Sequence, residues 1–192
     1  GTNTISINTW QVGESPSPAN VDVTSDINFG AGTNNISVDT WDIGRSKSLG
    51  SVTIDAGGTL NVVGKSVALA DLRIGENILD TGVNNSGVFD MTGGTFNASL
   101  DELTVARHNQ GAGSSDGTLT WEAGTVNANS VVIADTDRSG VGTTTDINTD
   151  GIININGTAV LNVAGPITSE GGDATINFNN GILRFVTLQK NT

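Results

Sequence analysis

The sequence predicts an all-β protein wound as a right-handed parallel β-helix, a solenoid of about five to six coils, each of about 31 residues and three strands. Three observations carry this expectation. A stretch of the chain repeats itself: residues 87–110 read GVFDMTGGTFNASLDELTVARHNQ, and residues 117–140 read GTLTWEAGTVNANSVVIADTDRSG. Each copy holds three short runs in which apolar and polar residues alternate, the period of a half-buried strand. The composition agrees: 26 of 192 residues are Gly, only 3 are Pro, none is Cys or Tyr, and only 15% are charged. Polarity therefore rests on Asn, Thr, Ser and Asp, a turn-rich and β-branched balance.

The third run of each repeat is the clearest. Trp10-Gln11-Val12-Gly13 returns as Trp41-Asp42-Ile43-Gly44, Leu72-Arg73-Ile74-Gly75, Leu103-Thr104-Val105-Ala106 and Val131-Val132-Ile133-Ala134. The first run gives the apolar pairs Val21/Val23, Val52/Ile54, Phe89/Met91, Leu119/Trp121, Ile153/Ile155 and Ile176/Phe178. The second run gives Ile27/Phe29, Leu60/Val62, Phe96/Ala98, Val126/Ala128, Leu161/Val163 and Leu183/Phe185. Members of a pair are two apart and share one face of a strand, so stacked repeats enclose a narrow apolar interior. Right-handed winding follows from the crossover preference of parallel strands. Gly57-Gly58, Gly93-Gly94 and Gly124 mark sharp corners between the first and second runs. Residues 1–192 read as one domain, expected to be a mature form or a fragment of a longer chain, because Gly1–Ile5 already matches the repeat at Gly32–Ile36.

The polar residues inside the second runs, Asn61, Asn97, Asn127 and Asn162, should align as a ladder of amides joined from repeat to repeat. Trp10, Trp41 and Trp121 share columns with Leu, Val and Met, which points them inward rather than at a ligand. The insertions are one-sided: Glu14–Asn20, Arg45–Gly50, Glu76–Ser86, Arg107–Asp116 and Asp135–Asp150 all follow the third run. Repeat proteins place variable contacts on such an edge. The candidate ligand-contact residues there are Arg45, Lys47, Glu76, Asp80, Arg107, His108 and Asp116.

One loop carries a metal-like spacing. Asp135, Asp137, Ser139, Val141 and Asp146 occupy positions one, three, five, seven and twelve, with Gly140 at six. Calcium takes six to eight oxygens at such alternating positions, with Gly for the sharp turn. The spacing resembles the calcium loop of EF-hands, and the Asp at twelve is closer to dockerin-type repeats. Arg138 beside the site and the lack of flanking helices depart from those families. Calcium is thus the one candidate cofactor, and no organic cofactor is expected. A single histidine, His108, excludes a multi-His metal site and reads as an exposed loop residue. Glu76, Asp80, Asp116 and Asp135 supply the carboxylates a glycoside hydrolase would need, but the strand-facing positions are Thr and Asn and bases are scarce, so no catalytic set is assigned. A net charge of −12 disfavours nucleic acid. No run reaches membrane-spanning length, so membrane insertion is not expected.

The unit Gly-x-(Leu/Phe)-x-(Met/Trp/Ile)-x-Gly-Gly-Thr-(Leu/Phe/Val)-Asn-(Ala/Val), followed by Leu-x-(Ile/Val)-Gly and best carried by Gly87–Ala98 and Gly117–Ala128, resembles the β-solenoid repeats of secreted bacterial surface proteins, autotransporter-passenger-like and PEP-CTERM-type. That resemblance implies an adhesin, a cell-surface scaffold or a neighbour of a polysaccharide-active domain; the regular repeats, the one-sided insertions and the unassembled catalytic set favour an extracellular or cell-surface module with a structural or adhesive role and no catalysis. Its contacts, to a polysaccharide or cell-surface component, would run through the loops of one edge, and its uncapped ends would permit head-to-tail self-association. The alternatives are a calcium-assisted carbohydrate-binding module and, behind it, a polysaccharide lyase or glycoside hydrolase.

Overall fold

The alternating runs do form strands, and they pair with their own copies rather than with their neighbours in sequence. The computed structural model describes residues 1–15, 23–78, 84–109, 113–136 and 147–191. Among the described residues there are thirteen strands and no helix. The strands are β1 (Thr2–Ser15), β2 (Val23–Phe29), β3 (Thr33–Ser46), β4 (Ser48–Ile54), β5 (Thr59–Val63), β6 (Ala70–Asn77) and β7 (Asn85–His108). They continue with β8 (Gly113–Ala123), β9 (Thr125–Thr136), β10 (Ile147–Asn156), β11 (Val160–Glu170), β12 (Asp173–Asn179) and β13 (Ile182–Asn191). All are joined in one sheet network, with the order β1-β3-β5-β7-β8-β10-β12 and the remaining strands branching from it. Every pairing between these strands is parallel, and the sequence repeat sets the register: Trp10 lies opposite Trp41, Trp41 opposite Leu72, and Leu72 opposite Leu103.

Parallel register stacks like on like, so each apolar position becomes a column. One column runs Ile27, Val52, Phe89, Leu119, Ile153, Ile176. Its inner members Val52, Phe89, Leu119 and Ile153 are fully buried. Another holds Trp10 stacked on Trp41, ring centroids 4.9 Å apart and ring planes nearly parallel, with Phe29 edge-on to both. Trp41 and Trp121 are completely buried and Trp10 is half-buried against the core, so the tryptophans point inward as their columns require. Burial of such side chains is each worth roughly 1.5–3 kcal/mol, which makes this column of rings a large share of the packing.

Two alignments read from the sequence are corrected. Ile27/Phe29, expected in the second run, pair with Val52/Ile54 and belong to the first. The second-run partner of Leu60/Val62 is Asn34/Ile36. An asparagine in a core column is invisible to a search for apolar pairs. Asn34 is fully buried, and its amide donates to the Gly30, Gly32 and Thr59 carbonyls while accepting from Asn3 at 2.8 Å. Secondly, Val126/Ala128 lie opposite Ala98/Leu100, two residues beyond the expected Phe96/Ala98. The chain takes a shorter path at Gly124, whose backbone lies so close to that of Phe96 that a Cβ there would overlap it.

That slip divides the amide ladder. Asn97 donates to Asn61 (3.0 Å) and Asn61 to Asn35 (2.9 Å), after which the Thr125 backbone N–H, not a side-chain amide, reaches Asn97 Oδ1 (3.1 Å). A second ladder starts afresh: Arg184 donates to Asn162, and Asn162 to Asn127. On the first-run face a similar row joins Asn177 to Asn154 and Asn154 to Thr120.

The tightest packing is backbone on backbone. Gly13, Gly44, Gly75, Ala106 and Ala134 all adopt a left-handed φ, between 52° and 70°, at the bend that ends the third run. Against them lies a second column, Gly50, Gly87, Gly117 and Gly151, in register from strand to strand. A Cβ on Gly87 would overlap Gly75 N and the Ile43 carbonyl, and one on Gly117 would overlap Ala106 N and the Ile74 carbonyl. Gly87→Ala is expected to destabilise by about 1–3 kcal/mol, as overpacking does. Ala106→Gly is expected to stabilise by up to about 1 kcal/mol by relieving a left-handed alanine. Urea denaturation of the two variants checks both signs.

Candidate ligand-contact edge

The strands run two residues or so past the left-handed bend, and the residues that flank the segments joining one repeat to the next form two facing polar columns. The outgoing column is Ser15, Ser46, Asn77, His108 and Thr136, each two residues after the bend. The returning column is Ser48, Asn85, Ser115 and Thr149, each two residues before a column glycine. All nine are buried. They are tied to one another and to the bend: Asn85 donates to the Gly44 carbonyl (2.8 Å), Ser115 Oγ to Asn85 Oδ1 (2.7 Å) and to the Arg107 carbonyl (2.9 Å), and Thr136 Oγ1 to Thr149 Oγ1 (2.9 Å). Ser48 Oγ donates to the carbonyls of Gly13 and Arg45. These polar groups close the open corner of the core where no apolar column reaches. They went unrecognised in the sequence because polar residues beside a loop look like loop, yet their fixed offsets from the bend and from the glycine were present to be read.

Just outside the necks runs a ladder of alternating charge. Glu14, Arg45, Glu76, Arg107 and Asp135 lie opposite one another on successive strands. Arg45 contacts Glu14 at 2.8 Å and Glu76 at 3.6 Å, and Arg107 contacts Glu76 at 3.6 Å and Asp135 at 3.4 Å. A neighbouring group widens the network: Asp42 faces Arg45 and Arg73, Arg73 also meets Asp71 and Glu76, and Arg107 meets Glu102 at 2.9 Å. A single exposed ion pair is worth roughly 0.2–1 kcal/mol, but here each arginine serves several carboxylates and is ordered once for all of them. Burial raises the Asp42 carboxyl above its ordinary range, against the opposing pull of Arg45 and Arg73.

The predicted contact residues therefore have different fates. Arg45, Glu76 and Arg107 are brought together, but into the ladder. Lys47 and His108, placed on the contact edge from sequence, are 1% and 0% exposed, and His108 is a strand residue, not an exposed loop histidine. Lys47 is buried because here the excursion shrinks to one residue between β3 and β4. Asp116 lies on the first-run side, half-buried, in a column with Asp150 and Asp173. Its carboxyl is raised, first by burial and then by the charge of Asp150. Asp135 is the last rung of the charge ladder, so a cation there would compete with Arg107. Asp80, Asp137, Ser139, Val141 and Asp146 lie outside the described residues. Among the described residues no group of three or more His, Cys, Asp and Glu is placed to hold a metal.

Away from this edge, a shallow depression of about 350 Å³ crosses the second runs, lined by Leu100, Asn127, Asn162, Arg184 and Phe185. No protein-family model, curated protein or solved structure matches the chain.

Two outcomes are expected from this geometry. Asn85→Ala takes the buried Asn85 amide from the Gly44 carbonyl and leaves Ser115 Oγ only the Arg107 carbonyl, and should cost about 1–3 kcal/mol in urea denaturation. Asp116 has a folded-state pKa above its ordinary 3.8, so the folded state binds more protons than the unfolded one over that interval. Its destabilising contribution is therefore full above the raised pKa and vanishes below 3.8. Asp116→Asn should raise stability at pH 7, and the gap to the parent should close as the pH is lowered toward 3.

Proposed function

We propose that the chain winds as a right-handed parallel β-helix and serves as an extracellular, non-catalytic structural or adhesive module, with its contacts carried on the loop-bearing edge. The observation that carries this reading is the charge ladder. Among the described residues of that edge, Glu14, Arg45, Glu76, Arg107 and Asp135 are engaged with one another across five strands, and they include two of the carboxylates, Glu76 and Asp135, that a hydrolase would need. A glycoside hydrolase needs one carboxyl free to donate a proton and another free to attack or to activate water. Here the central carboxylate, Glu76, is almost fully buried among Arg45, Arg73 and Arg107.

The winding is supported by the repeat-length register, and by pairing that always skips the intervening runs. Each repeat then contributes one level, and the buried polar necks pin both ends of every excursion to the same edge. Such a framework presents variable segments on a fixed support, which is what an adhesive or scaffolding module requires. A second reading, a carbohydrate-binding module, is favoured by one observation: the exposed Phe185 beside Asn127, Asn162 and Arg184 in the shallow depression. Retention of the chain in polysaccharide affinity gels, lost on Phe185→Ala, would establish it.

The winding itself is tested by removing one level. Residues 87–116 span a full repeat, because Gly87 and Gly117 occupy the same register position. Their deletion joins Ser86 to Gly117 and places Leu119 on Val52. In a solenoid the shortened chain should keep a β-rich circular dichroism spectrum and a cooperative, less stable unfolding transition. Loss of cooperative folding would sink the solenoid reading, and release of product from any polysaccharide in the same panel would sink the non-catalytic one.

A further inference from the structure

The second and third runs of a repeat form one unbroken strand in β1, β3, β7, β9, β11 and β13. Between β5 and β6 the strand is broken, the one place among the described residues where this corner opens. Ser37 lies opposite Val63 and Thr40 opposite Asp71, so two residues of β3, Val38 and Asp39, stand against seven, 64–70. The extra residues fold back over the preceding repeats and are held there. Asp39 Oδ1 accepts from the backbone N–H groups of Lys65 (2.9 Å) and Ser66 (2.7 Å), and the Ser66 hydroxyl donates to Asp39 Oδ2. These bonds, the Ser66 hydroxyl first, hold the Asp39 carboxyl below its ordinary range. Lys65 Nζ donates to Asn8 Oδ1 at 2.6 Å, one repeat further back. Gly64 closes the loop, since a Cβ there would overlap the Val67 carbonyl.

The loop so fixed walls a hollow of about 430 Å³ whose lining has two parts. Val67, Ala68 and Leu69 make an apolar side, with Val67 56% exposed. Asp39, Asp71 and Asp101 bring carboxylates from three successive repeats. The nearby cations are committed elsewhere: Lys65 is turned away to Asn8, and Arg73, at 3.3 Å from Asp71, is shared with Asp42 and Glu76. Burial raises the Asp71 carboxyl above its ordinary range, and Glu102 and Asp101 raise it further against the pull of Arg73. A positive group brought here would relieve that crowding of like charge. We propose that the hollow seats a lysine or arginine side chain of a polypeptide partner, its methylene stem on Val67 and Leu69 and its charged head at Asp71 and Asp101. The two parts of the lining choose the occupant. Long basic side chains lay an apolar stem along apolar surface and keep a charged head among polar groups. A sugar would set hydroxyls against Val67 and Leu69, and a bare metal ion would leave the apolar side uncovered. The net charge of −12 draws a basic partner toward the chain. This contact lies at the corner between the second and third runs, apart from the loop-bearing edge, and does not depend on the role proposed for that edge.

The probe is the peptide acetyl-Gly-Lys-Gly-amide, titrated into the isotope-labelled chain and read by backbone amide chemical shifts. Shifts confined to Val67, Ala68, Leu69, Asp71 and Asp101 are expected, and they should weaken as salt is raised. Acetylating the lysine Nζ keeps the stem and removes the charge, whereas methylammonium keeps the charge and removes the stem. Neither should reproduce the shifts at equal ionic strength. Asp71→Asn and Asp101→Asn should each weaken binding about two- to fivefold, the worth of one partly exposed ion pair. Val67→Ser should weaken it as well, at a side chain the fold leaves exposed, with the circular dichroism spectrum unchanged. No localised shifts with the lysine peptide would overturn the proposal. Equal shifts with methylammonium would overturn it too, by reducing the hollow to a diffuse attraction for cations. So would localised shifts with glucosamine oligomers but none with the peptide, which would assign the hollow to an amino sugar.

Discussion

The structure depends on a contact between two stretches of backbone. The left-handed bend at Gly13, Gly44, Gly75, Ala106 and Ala134 turns the chain out of the third run, and the glycine column Gly50, Gly87, Gly117 and Gly151 is packed directly against it. No side chain fits between them. The distance between the strand that leaves and the strand that returns is therefore set by backbone atoms and is the same in every repeat, whatever the length of the excursion between them. That explains how a one-residue excursion at Lys47 and the much longer segment after Thr136 can share one framework. It also explains why the alanines at 106 and 134 accept a left-handed φ: the closure they make outweighs a backbone cost of roughly 1–2 kcal/mol.

From that constraint the polar arrangement follows. A corner closed by backbone leaves peptide carbonyls facing inward, and buried carbonyls need donors. The Asn85 amide serves the Gly44 carbonyl, the Ser48 hydroxyl is shared between the Gly13 and Arg45 carbonyls, and the Ser115 hydroxyl between the Arg107 carbonyl and Asn85. The charge ladder then sits on the outer side of the same corner, where partial exposure lets arginine and carboxylate alternate without the full cost of desolvation. Two carboxylates are taken deeper, Glu76 at the centre of the ladder and Asp42 beside it, and the raised pKa of Asp42 is the sign that two arginines do not fully offset its burial. The buried polar columns and the charge ladder thus brace one and the same corner, from its inner and its outer side.

Register is kept elsewhere by amides, and the one place where it changes shows how. The side chains of Asn35, Asn61 and Asn97 form a continuous row, and the row ends where β9 slips by two residues relative to β7. Asn97 then meets the Thr125 backbone instead of Asn127, and a new row begins at Asn127. The core tolerates the slip because a shift of two residues keeps every side chain on its own face, whereas a shift of one would turn the apolar set outward.

The sequence by itself determined the strand content, the parallel pairing of like runs and the inward tryptophans, because a period of two within a repeat of about 31 leaves apolar residues few other places to go. It also located the edge where the excursions emerge. Tertiary structure alone decided what that edge is made of. That Glu14, Arg45, Glu76, Arg107 and Asp135 alternate in sign is visible only once strands 28 to 31 residues apart are laid side by side. The place of Asn34 in a core column, the burial of Lys47 and His108, and the two-residue slip at Gly124 likewise depend on neighbours distant in the chain. Alternation reports which face a residue takes. What that face meets is settled by the strand above and the strand below.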